Sequence, residues 1–313
     1  MNASKEAAVF TLSLDCEGLW GMADQTAVLS NGRINDATLR DVYQLIARTL
    51  DQNGVVATAA FVSCFAAQKE SILQHIDLVK ALAEQSPQWF SSIVPALEAS
   101  RQGGWFGHEH FKAFQQAGHE IGWHGATHMS LSSETPAEAL ELELKLSKQL
   151  LSDLGAKPST IVFPRNRVGH LDRLRGEGFD AYRASPPGGL RGRVIGLAGE
   201  LHLLDNRVAA KPIRHDGWGV SPAGFFLNWP SGVRSLVPVA ATVRRWRSLL
   251  RSAVENGGYV HMWFHPHNLI TAPAMRESFT EIMAEVGALL RSGDLLSMTI
   301  AQANDYYSEV APS

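Results

Sequence analysis

Residues 35–63 read NDATLRDVYQLIARTLDQNGVVATAAFVS. Leu39, Val42, Leu45, Ile46, Thr49 and Leu50 recur at helical spacing, with Asn35 or Asp36 as the cap and Asn53-Gly54 as the stop. The pattern then changes. VVATAAFVS, residues 55–63, is a short apolar run behind a turn signal, which predicts a buried strand. Upstream, AAVFTLSLD (residues 7–15) is a second run of the same kind. A strand, an amphipathic helix and another strand in this order predict a parallel βαβ unit.

The same alternation extends outward from this stretch. HEIGWHG (119–125), TIVFP (160–164), ELHLLD (200–205), GYVHMWFH (258–265) and LLSMTI (295–300) read as further strands. Helices are predicted over 136–154, 239–256 and 275–292; in the first, Thr135 is the expected N-cap, Glu138 completes a capping box and Gly155 ends it. Seven or eight such strands predict an α/β barrel, with residues 1–313 as one domain and a loop-rich excursion around 184–235.

With 313 residues, 45% of them hydrophobic and 19% charged, the chain has enough apolar matter for a large core. A net charge of −3 leaves no basic footprint, so no nucleic-acid partner is expected. Two cysteines, Cys16 and Cys64, are too few for a disulfide framework and suit a reducing compartment. No run approaches the roughly 18 apolar residues of a transmembrane span, and the N-terminal residues do not read as a signal peptide. The expected location is the cytoplasm.

Active sites of parallel α/β folds form at the carboxyl ends of the strands. The predicted strands end in Asp15-Cys16-Glu17, in His124 with His128 four residues on, in Phe163-Pro164-Arg165-Asn166, and in His265-Pro266-His267. On a helical turn, His124 and His128 would share a face and could grip one ion. Residues two apart on an extended segment point the same way, so Asp15 and Glu17 can face the pocket while Cys16 faces the wall. Either carboxylate could hold the ion, leaving the other to take a proton from water. The period-two rule puts His261, His265 and His267 on one side if the strand runs that far; His265, at the strand end before Pro266, is the candidate acid, and His261 reads as a buried, hydrogen-bonded residue. Cys16 makes a poor nucleophile, because two neighbouring carboxylates raise a thiol's pKa.

Together these segments resemble the polysaccharide deacetylase family of metal-dependent carbohydrate esterases, in its D-x-E branch. LSLDCEG resembles the first motif, GHEIGWHGATH the second, FPRN the third and FHPHN the late histidine motif; they occur in the family's order. Here Glu17 replaces an acid adjacent to the first aspartate, and Pro164 intervenes before the arginine. The resemblance implies a distorted (β/α)7-type barrel. It also implies a divalent metal, Zn²⁺, held by Glu17, His124 and His128, with Asp15 as base, Arg165 bracing it, and His265 as acid.

The implied reaction removes an N-acetyl group from an amino sugar, and the expected setting is O-antigen or capsule biosynthesis on a nucleotide-linked or lipid-linked N-acylated sugar. The alternatives are a deformylase or ureide amidohydrolase on the same site, or a non-catalytic glycan-binding barrel. Trp20, Trp105, Trp123, Trp218 and Trp229 fall near predicted loops of the active face, where they would serve either as sugar platforms or as core. Arg244, Arg247 and Arg251 form one stripe of a helix, which reads as a solvated face or a weak membrane-surface contact.

Overall fold

β1 (Ala8–Cys16) is buried along its whole length, as its apolar run requires, and runs through the middle of the sheet. The computed structural model describes residues 7–25, 29, 31–98, 103–186, 210–230 and 232–310. The other strands are β2 (Thr58–Phe61), β3 (Glu120–Trp123), β4 (Thr160–Val162), β5 (Ala181–Arg183), β6 (Ile213–His215), β7 (Trp218–Ser221), β8 (Phe225–Phe226), β9 (Tyr259–Phe264) and β10 (Leu295–Ser297). Their spatial order is β6-β7-β5-β4-β3-β2-β1-β9-β8, with β10 pairing the start of β1. Every pairing is parallel except β6 with β7. The seven strands from β7 to β9 in this order form the wall of a distorted (β/α)7-type barrel.

The helices follow from local chemistry. α1 (Asp36–Asn53) starts at Asn35, whose side chain accepts from the Ala37 and Thr38 amides while the Thr38 hydroxyl accepts from the Asn35 amide. It stops at Gly54, at φ +65°. Other helices include α2 (His108–Gln116), α3 (Ala137–Asp153), α4 (Val239–Asn256), α5 (Ala274–Ser292) and α6 (Ile300–Val310). Thr135 does not cap α3 as the pattern predicts. Its hydroxyl donates to the Ser130 carbonyl at 2.8 Å, and Pro136 takes the cap position.

The region expected to be a loop excursion is partly paired. β7 joins β5, β8 joins β9, and β6 returns along β7. The predicted strand ELHLLD lies outside the described residues. One hydrophobic cluster extends from Ala8 to Leu295, with Phe10, Leu12 and Leu14 of β1 fully buried in it. Among the described residues, no helix is long and apolar enough to cross a membrane. Arg247 pairs with Glu285 of α5 at 3.3 Å, so part of the arginine stripe is matched by acid within the fold.

Because the wall strands are parallel, their carboxyl ends share one rim. There the chain places Asp15 and Glu17, His124, Arg183 and His265.

Candidate active site

Glu17 follows β1 and His124 follows β3, while His128 lies four residues further on. Glu17 Oε2 is 3.3 Å from His124 Nε2 and 2.8 Å from His128 Nε2, and all three residues are buried. They form a group of possible ligand atoms mutually within 4.8 Å, the one such group of three among the described residues. No helical turn brings the histidines together, contrary to the expectation from their spacing. Residues 124–128 form a bend with Gly125 at φ +79° and His128 at φ +64°, and the two rings come within 4.7 Å. Gly21 leaves space for the acid, since a Cβ there would collide with the Glu17 carboxylate.

The donor chemistry fits a cation. His124 Nδ1 donates to the Val162 carbonyl at 2.6 Å, so in the neutral ring Nε2 carries a lone pair. That lone pair faces Glu17 Oε2, an acceptor facing an acceptor. A metal ion or a proton between them removes the conflict. Two imidazoles and one carboxylate, with one imidazole oriented by a backbone carbonyl, are a familiar divalent-metal donor set. Burial alone would raise the Glu17 pKa, but the facing histidines outweigh it and hold the carboxyl well below its usual range.

Asp15 is braced by Arg183, a residue that sequence reasoning missed. Arg183 Nη1 and Nη2 donate to Asp15 Oδ1 and Oδ2 at 2.7 and 2.8 Å, with both side chains buried. Arg183 also donates to Ser13 Oγ at 3.0 Å and to Asn166 Oδ1 at 3.0 Å. His261 Nδ1 donates to the Pro222 carbonyl, so its Nε2 accepts from the Ser13 hydroxyl; both contacts are 2.9 Å. Burial and the neighbouring guanidinium depress His261 to about 3, which keeps this ring neutral. Burial opposes ionisation of Asp15, but Arg183 overcomes it and holds the carboxyl below its ordinary value.

Arg165, expected to brace Asp15, instead pairs with Asp24 at 2.7 Å and stacks on Trp89 at 4.2 Å. Pro164 starts a 3₁₀ turn in which Arg165 adopts φ +56°, and this turns the side chain toward solvent. A strand-end signal for its replacement does exist. Arg183 ends the short run AYR between Gly178 and Ala184, and the rule applied to the other strands would have selected it.

His265 follows β9, with Nε2 3.7 Å from Asp15 Oδ2 and 3.9 Å from Glu17 Oε1. Its Nδ1 faces Asn268 Oδ1 at 3.1 Å, so Nδ1 donates and Nε2 is turned to the acids. His267 Nδ1 lies 3.8 Å from Glu17 Oε1 and is buried without a hydrogen-bond partner; burial lowers its pKa to about 4. The acids and His265 open into a cleft of about 500 Å³ whose outer wall includes Phe226, Trp229, Arg165 and Arg167. Of the five tryptophans singled out in the sequence, only Trp229 lines this cleft; Trp20, Trp105, Trp123 and Trp218 are core. Cys16 faces Tyr43 and is pushed well above the usual thiol range, chiefly by burial, which agrees with its exclusion as a nucleophile.

Residues 34–173 match the family model of polysaccharide deacetylase. No curated protein matches the chain in sequence. A Mycobacterium smegmatis crystal structure, named for a polysaccharide deacetylase, is similar at TM-score 0.61 and 15% identity; the match covers 100% of this chain and 94% of that one. A Pseudomonas aeruginosa PAO1 structure named for the same activity gives 0.56 and 11%, over 97% and 92% of the two chains. Puue allantoinase gives 0.55 and 13%, over 97% and 91%. At these identities the likeness is one of fold.

Proposed function

We propose that this chain is a hydrolase of the polysaccharide deacetylase kind that deacetylates an N-acetylated amino sugar, a reading supported by the match of residues 34–173 to that family's model. The observation carrying this reading is the convergence of the Glu17–His124–His128 group, the Asp15–Arg183 pair and His265 on one cleft. Glu17, His124 and His128 would hold the ion, read as Zn²⁺. When bound, it supplies Lewis acidity, polarising an amide carbonyl and making water easier to deprotonate.

The chain's own groups would do the rest. Arg183 keeps Asp15 anionic and fixed, so a carboxylate oxygen is available to take the proton of an attacking water. The water oxygen bonds to the carbonyl carbon as the C–N bond breaks. His265 in its doubly protonated form delivers the Nε2 proton to the departing nitrogen, and is left as the neutral ring whose Nδ1–H donates to Asn268. The products are acetate and a free amine. Phe226 and Trp229 offer apolar faces to a pyranose, and Arg167 on the rim suits the phosphate of a nucleotide-linked or lipid-linked sugar. A step in O-antigen or capsule biosynthesis fits such a substrate.

The test is incubation of Zn²⁺-loaded protein with acetylated and formylated amino sugars, free and nucleotide-linked, and with a ureide, assaying the acid or amine released. Acetate from an amino sugar, lost in Asp15→Asn, is the expected result. Release from the formylated sugar or the ureide alone would move the assignment to another amide. No release from any of them would favour a glycan-binding barrel.

A further inference from the structure

Glu143 lies in the middle of α3, fully buried, with no place in the chemistry above. We propose that it is a positioning residue that sets the bend carrying His124 and His128, and thereby the geometry of the metal site. The inference rests on the metal-site reading given above.

The bend between the two histidines is held from outside at three of its four peptides, those from Gly125 to His128. Glu143 Oε2 accepts from the Ala126 and Thr127 amides at 2.7 and 3.2 Å, and its Oε1 is hydrogen-bonded to the Thr127 hydroxyl. On the other side, the Ser63 and Cys64 amides donate to the Gly125 and Ala126 carbonyls, each at 2.9 Å. Trp89 Nε1 donates to the Thr127 carbonyl at 3.1 Å.

The segment needs this support. Gly125 and His128 both have positive φ, and a Cβ on Gly125 would approach Pro164 Cγ to 3.0 Å. A non-glycine residue in the left-handed region persists only where its surroundings over-determine it. The bonds from the β2–α2 connection satisfy carbonyls, and Glu143 satisfies the amides. Without its carboxyl, two buried N–H groups lose their acceptor, and the peptides joining the ligands are free to turn. An apolar residue of similar size would fill the same volume but could not accept these bonds. A filler role therefore does not explain the carboxyl.

Zn²⁺ alone, titrated calorimetrically into metal-stripped full-length protein, decides the matter. Glu143→Ala should weaken binding about tenfold or more, as loss of support around a ligand does. Glu143→Gln should stay within about threefold, because its amide oxygen still accepts from the backbone and its NH₂ can donate to Thr127. Leu150→Ala, a fully buried site on the same helix, controls for general destabilisation and should leave the affinity unchanged. The proposal is overturned if Glu143→Ala binds like wild type, or if Leu150→Ala loses as much. Should Glu143→Ala fail to fold, Thr127→Val decides: about fivefold weaker binding is expected from one lost hydrogen bond, and wild-type affinity overturns the proposal. Failure of the wild type itself to take up Zn²⁺ would instead sink the metal-site reading, and this inference with it.

Discussion

At the scale of single residues, the two arginines of the rim make opposite predictions. Arg183 and Asp15 are a desolvated, bidentate pair, and removing one member leaves an uncompensated buried charge. Arg183→Ala should therefore cost about 3–5 kcal/mol of stability. Arg165 and Asp24 are each more than a third exposed on the side-chain scale, and solvent screens their pair. Arg165→Ala should cost less than about 1 kcal/mol, even counting its stacking on Trp89. Urea midpoints for the two variants make the comparison; similar losses would show that Arg183 does not carry the charge balance of the buried site. Only Arg165 was visible as part of a motif. Arg183 belongs to a three-residue strand with no periodicity of its own, and what gives it a role is the register that sets β5 beside β4 and β7.

At the scale of elements, α3 couples the metal-site bend to the titration of one group. Burial pushes Glu143 up from 4.5 to about 7, against the hydrogen bonds from Thr127 and Ala126 that favour the charged form. The unfolded chain releases this proton at an ordinary carboxyl pH, while the folded chain keeps it. The contribution to stability is thus fully present below about 4.5, and falls as pH rises until about 7. The full span is worth about 3 kcal/mol. Unfolding free energies at pH 5 and pH 8 should diverge between wild type and Glu143→Gln by an amount approaching this span. Parallel curves would mean that Glu143 is already ionised in the folded protein.

The helix also shows what a sequence reveals and what it hides. Ala139, Glu143, Leu146 and Leu150 occupy one buried stripe at helical spacing, so periodicity puts Glu143 inside the fold. Glu141, two residues earlier, pairs with Arg173 in solvent. Local pattern tells which glutamate faces inward, but not that the inward one meets three partners from the bend at 126 and 127. Asp15 and Glu17 were legible because alternation along β1 fixes their common side. His124 and His128 read as a pair only once the carboxylate ending the first strand is set beside them, and a bend, not a helix, closes them. The Thr135 cap was misread because its hydroxyl had a nearer acceptor in Ser130.

Across the whole molecule, the candidate site joins the end of β1 to a segment more than a hundred residues away, so the proposed ligand geometry exists only in the folded chain. A ligand that binds only the native state stabilises it by mass action, about 2.7 kcal/mol at a free concentration one hundred times Kd. For a chain of 313 residues, that energy corresponds to a rise of about 4 °C in the melting midpoint. Zn²⁺ should produce such a rise and a chelator should reverse it. The same addition should shift His128→Ala far less, because one imidazole and a carboxylate remain and the third donor is gone. If Zn²⁺ raises the midpoints of wild type and His128→Ala equally, the ion binds elsewhere on the surface, and the ends of β1 and β3 do not meet at a metal.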